Sequence, residues 1–83
     1  MPMIAIVDGI RVVIFLNDHD PPHFHAFLGE HKLRIEIESG RVIGAGGPAA
    51  MERKLADWTR NHAPELLAAW QDARGGRSPK RID

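Results

Sequence analysis

Four of the chain's five histidines fall between His19 and His31, and three of them sit in the run His19-Asp20-Pro21-Pro22-His23-Phe24-His25. Imidazoles change charge near neutral pH and are common metal ligands, so three in so short a run demand a chemical reading. On an extended strand His23 and His25, two residues apart, project from the same face. His19 stands beyond Pro21-Pro22, two residues that lack amide donors and fix φ, and so keeps a set distance from that pair. Two chemistries suit the set. In the first, His19, His23 and His25 ligate a divalent metal such as zinc, with water or Glu36 completing the shell. The spacing matches no established zinc signature, and the chain has no His-Glu-x-x-His helix. In the second, His23 or His25 works with Glu36 as general acid and base on an RNA phosphodiester. Arg34 then supplies the cation for the phosphate and Phe27 a surface on which a base can stack. A solvated, carboxylate-paired histidine face is the plain alternative, and all three readings stay open on residue types alone, enzyme or not.

The elements around these residues follow from the hydrophobic pattern. Met3 to Val7 and Ile10 to Leu16 are β-branched, apolar runs separated by Asp8-Gly9, a pair that tolerates the positive φ of a tight hairpin turn. A second hairpin turns at Gly29-Glu30. Its register sets Leu28 against His31, Ala26 against Leu33 and Phe24 against Ile35 on one apolar face. On the other face it sets His23 against Glu36, His25 against Arg34 and Phe27 against Lys32. Ser39-Gly40 leads into a short strand from Arg41 to Ala45, and Gly44, Gly46 and Gly47 end the sheet. After Pro48 the period changes to that of a helix. Met51, Leu55, Trp58 and His62 form one stripe, and Leu66, Leu67, Trp70 and Ala73 form a second after Pro64. Strands first and helices last predict an α+β domain over residues 1–75. Its antiparallel sheet of four or five strands, within 3–45, is packed on one face by two C-terminal helices. Residues 76–83 read as a flexible basic tail.

Composition narrows the function classes. Eleven Lys and Arg balance eleven Asp and Glu, which argues against a nucleic-acid binder working by net charge. A local patch of Lys32, Arg34 and the tail can still bind RNA. The absence of cysteine excludes disulfides, thiolate zinc sites and thiol catalysis. No stretch reaches the length of a membrane span, and no basic segment precedes an apolar run at the N-terminus, so a cytoplasmic setting is expected.

The segment from Asn17 to His25, the Asp8-Gly9-Ile10 hairpin, the acidic-apolar strand Arg34-Ile35-Glu36-Ile37 and the helical region bearing Trp58 and Trp70 together resemble a small bacterial family, domain of unknown function 4160. Members more often carry Asn at the position of Asp20, so this chain adds a charge beside the histidines. The resemblance makes His19, His23 and His25 the signature residues, without an established catalytic role. It implies a small gene beside another small gene, hence a toxin–antitoxin component with a small cognate protein as partner. As a toxin the chain would act on RNA through the histidine face. As an antitoxin-like module it would bind its partner without chemistry.

Overall fold

The structure is a computed structural model, and it describes residues 3–82. Four strands form one antiparallel sheet in sequential order: β1 (Met3–Val7), β2 (Ile10–Val13), β3 (His23–Leu28) and β4 (His31–Glu36). Asp8 and Gly9 both take positive φ, at 48° and 83°, as the turn between β1 and β2 requires. The β3–β4 hairpin has the register that the alternation predicts, from His23 opposite Glu36 to Leu28 opposite His31. One face of the sheet is therefore continuous and apolar. Phe24, Ala26, Leu33 and Ile35 are buried on it together with Ile4, Ile10, Val12 and Ile37.

Two expectations about the sheet are corrected. The apolar run after Ile10 leaves the sheet at Val13, because the chain turns at Leu16-Asn17, where Asn17 adopts a left-handed φ of 58°. The strand expected from Arg41 to Ala45 contributes a single bridge, Val42 to Ile35, held by Glu36 N–H to Arg41 O and Ile43 N–H to Arg34 O, both at 2.8 Å. Glycine ends it at once. Gly47 lies so close to β4 that a Cβ there would stand 3.1 Å from a Leu33 methyl, while its amide donates to Glu52 Oε2 at 2.9 Å.

The two expected helices are one element, α1 (Ala49–Arg74), which begins just after Pro48. Pro64 lies inside it and only His62 leaves helical φ/ψ, at −127° and 18°. A proline lacks the amide for one intrahelical bond and its ring crowds the carbonyl four residues back, which kinks a helix without requiring a linker. The first half packs Leu55 into the core and sets Trp58 edge-on to Phe24 at 5.7 Å. The second half buries Leu66, Ala69, Trp70 and Ala73. In the segment expected as a flexible tail, Arg77 pairs with Asp72 at 3.3 Å. Farther on, Ile82 is buried and donates its amide to Ile4 O at 2.7 Å. Ile82 is the one large aliphatic side chain in that basic stretch, which gives the segment something to bury. Among the described residues no helix is long and apolar enough to cross a membrane.

Candidate metal centre

The loop between β2 and β3 folds over one end of the sheet, where the second half of α1 holds it. Asn17 N–H donates to Ala73 O at 3.1 Å, and Arg74 Nη1 donates to Asp20 Oδ1 at 3.0 Å. The Arg74 guanidinium also lies over the Trp70 ring. The Asp20–Pro21 peptide in this loop is cis. The loop and β3 bring Asp18, His23 and His25 together: one ligand atom from each lies within 4.8 Å of the other two.

Asp18, and not His19, stands with the strand histidines. The turn at Asn17 aims the Asp18 carboxylate at the strand, and His19 points to solvent with its side chain 80% exposed. His19 still serves the site from outside. Its amide donates to Asp18 Oδ1 at 2.9 Å, and its Nδ1 lies 3.0 Å from the same oxygen. Glu36 is opposite His23 in the register, half-buried, and accepts a hydrogen bond from Ser39 Oγ; it is not one of the clustered groups. Arg34 is opposite His25 and exposed, with its guanidinium lying against Gly44.

His23 is the least accessible member, 3% exposed, with the Trp70 ring 5.2 Å away. Its Nδ1 lies 2.7 Å from the Pro21 carbonyl oxygen, and its Nε2 lies 3.0 Å from Asp18 Oδ2. Both partners are acceptors only. A neutral imidazole has one N–H, so it can serve the carbonyl or the carboxylate but not both. With the proton on Nδ1, the Nε2 lone pair faces a carboxylate oxygen. Either a second proton or a cation between the two atoms removes that conflict. The Nδ1–carbonyl bond is the contact that orients metal-binding histidines and leaves Nε2 free as the ligand.

His25 lies between Phe15, edge-on at 4.6 Å, and His23 at 5.2 Å, and its Nδ1 is buried with no hydrogen-bond partner. Burial, then the charges of His23 and Arg34, hold its pKa below the ordinary histidine value, against the opposing pull of Asp18. That shift favours the neutral imidazole, the form that ligates metals. Burial alone would raise the Asp18 carboxyl. The His19 amide and the imidazoles of His23, His25 and His19 outweigh it and hold Asp18 below the usual carboxylate range. A carboxylate and a neutral imidazole beside an oriented imidazole make a two-histidine, one-carboxylate donor set, suited to a first-row divalent metal with open positions.

Asp18 is visible in the sequence only as a flanking charge. The one pointer to it is Asn17, a residue tolerant of the left-handed turn that reorients its successor. No curated protein and no solved structure matches the chain. Residues 9–71, from the first hairpin turn through β2, β3 and β4 and most of α1, match a family model, and the chain belongs to that family, described as domain of unknown function (DUF4160).

Proposed function

We propose that the protein binds one divalent transition metal through Asp18, His23 and His25, with zinc or iron(II) the best-suited ions. The observation that carries this reading is His23, a buried imidazole whose two nitrogens both face acceptors. With the His23 proton on Nδ1, held by the Pro21 carbonyl, His23 Nε2 and Asp18 Oδ2 would both be free to hold the cation. Three protein donors leave positions for water or substrate, the arrangement of catalytic rather than structural metal sites. If the protein is a toxin–antitoxin component, this centre is the part of it that acts, and growth arrest on induction is relieved by Asp18→Asn.

The test is elemental analysis of untagged protein, followed by calorimetric titration of the chelated protein with zinc and iron(II). One equivalent is expected to bind, and binding is lost in the His23→Ala, His25→Ala double variant. His19→Ala retains the stoichiometry with weaker affinity, about 10-fold or more, because it removes a group that orients a ligand. A metal-free native protein that also binds nothing on titration refutes the proposal.

A further inference from the structure

The face of the sheet opposite the core is chemically uneven. One cross-strand row carries Arg11, Phe27 and Lys32, and the next carries Val13, His25 and Arg34. Arg11, Lys32 and Arg34 are exposed, and among the described residues none of them forms an ion pair. Neither row contains a carboxylate. The Arg11 guanidinium lies over the Phe27 ring at 5.7 Å, and the His25 ring lies alongside it, 14° from parallel with the centroids 6.4 Å apart. Beside them runs a groove of about 290 Å³, whose lining includes His25, Phe27, Lys32 and Arg34. In a chain of zero net charge, three unpaired cations around one aromatic ring are a local concentration of positive potential.

We infer that this groove binds single-stranded RNA, with a base stacked on Phe27 and the flanking phosphates held by Arg11, Lys32 and Arg34. Cations alone would suit any polyanion. The half-buried ring set between them adds a stacking platform that an acidic peptide has no planar group to use. A duplex keeps its bases paired and stacked away from such a ring, so the strand must be single. The three charged groups are donors only, and ribose offers them a 2′-hydroxyl acceptor that deoxyribose lacks. His25 is a wall of the groove and a member of the Asp18–His23–His25 cluster, so a bound strand passes beside that centre. The groove's affinity does not depend on metal.

The experiment is fluorescence anisotropy of a labelled single-stranded RNA of about 12 nucleotides, within the range of known single-strand site sizes. It is run over a salt series, with chelated protein and again with added zinc. Binding is expected in both conditions, with log K falling against log salt at a slope near −2 for three phosphate contacts. Phe27→Leu weakens binding by about 5-fold or more, the loss of one stacked base. Lys32→Gln, at an exposed position outside the core, flattens the slope by about 0.7. Equal affinity for DNA of the same sequence, for duplex RNA or for polyglutamate overturns the assignment, as does an unchanged slope in Lys32→Gln. Binding that disappears on chelation moves the contact from the groove to the metal centre. A protein that takes up no metal yet binds RNA in chelator refutes the metal proposal alone.

Discussion

Replacing Asp18 with asparagine separates the metal reading from an ordinary ion pair, because the two predict opposite signs for the metal-free protein. The asparagine side chain retains an amide oxygen for the His19 N–H that Asp18 Oδ1 now accepts at 2.9 Å. At the position of Oδ2, 3.0 Å from His23 Nε2, it can place an NH2 group. If His23 is neutral with its proton on Nδ1, a lone pair that faced a carboxylate then receives a donor. The gain is that of one ordinary hydrogen bond, ~1 kcal/mol. For a domain of this size that raises Tm by ~4–8 °C. If instead His23 carries two protons and pairs with Asp18, the substitution removes a charge-assisted bond and costs ~1.5–3 kcal/mol.

Metal reverses the order. At a free concentration 100 times Kd, a bound ion stabilises the native protein by ~2.7 kcal/mol. That corresponds to roughly 10–20 °C in Tm for a chain of this length. Loss of the one anionic ligand, taken as about 100-fold in affinity, leaves ~0.4 kcal/mol at the same metal concentration, a shift of only ~2–3 °C. Differential scanning fluorimetry of both proteins, in chelator and in a zinc series, reads all four values. The expected result is a variant more stable than wild type without metal and less stable with it. A metal-free variant destabilised by about 1.5 kcal/mol or more, or a metal shift as large as that of the wild type, refutes the reasoning.

In the metal-free protein, stability is expected to depend on pH through His25 and Asp18, both with native pKa values held down. The His25 contribution is complete above the unfolded value of about 6.5 and is lost as pH falls from there through its lower native value; that of Asp18 is lost likewise below about 3.9. Urea titrations across this range check it, and stability that rises as the pH is lowered from about 7 to about 5.5 contradicts it. Leu55→Ala, at a fully buried position where α1 meets the sheet, should cost ~2–5 kcal/mol in chemical denaturation. Ile82→Ala should cost ~2 kcal/mol, whereas a frayed end would lose nothing measurable. Arg74→Ala breaks an exposed pair with Asp20 and should change stability by ~1 kcal/mol at most, while weakening metal binding measured by calorimetry.

The hairpins are legible in the sequence because their signals are local. Asp8-Gly9 and Gly29-Glu30 mark turns by backbone chemistry, and strict alternation then determines which side chains share a face. That reasoning places His23 and His25 together, with Glu36 and Arg34 opposite them. It cannot identify Asp18 as the third member, because the loop's path depends on the left-handed Asn17 and on bonds to Ala73 and Arg74 more than 50 residues away in sequence. His19, the more conspicuous residue type, therefore takes in the sequence the place beside the strand histidines that Asp18 takes in the structure. The helix count fails for a related reason. Pro64 reads equally well as the first residue of a new helix or as a kink within one, and only packing against the sheet and loop decides. The stretch after Gly40 reads as a full strand because apolar Val42 and Ile43 outweigh the glycines that follow them.

The kink at His62 divides α1 into halves with different attachments, and this bears on how anything reaches His23. The first half is bound up with the sheet core, through Leu55 and the Trp58–Phe24 contact. The second half covers His23 with Trp70 and ties down the loop through Ala73 and Arg74. Proteins open in cooperative units whose free energies differ, and a one-residue break in helical geometry is a natural boundary between two such units. Residues 65–74 and the 14–22 loop should therefore open together, more often than the hairpins, giving two tiers of amide exchange. Entry to a nearly sealed imidazole is then gated by this opening. Metal uptake would saturate with ion concentration at the opening rate, and the exchange of the Trp70 and Ala73 amides would slow as the centre fills.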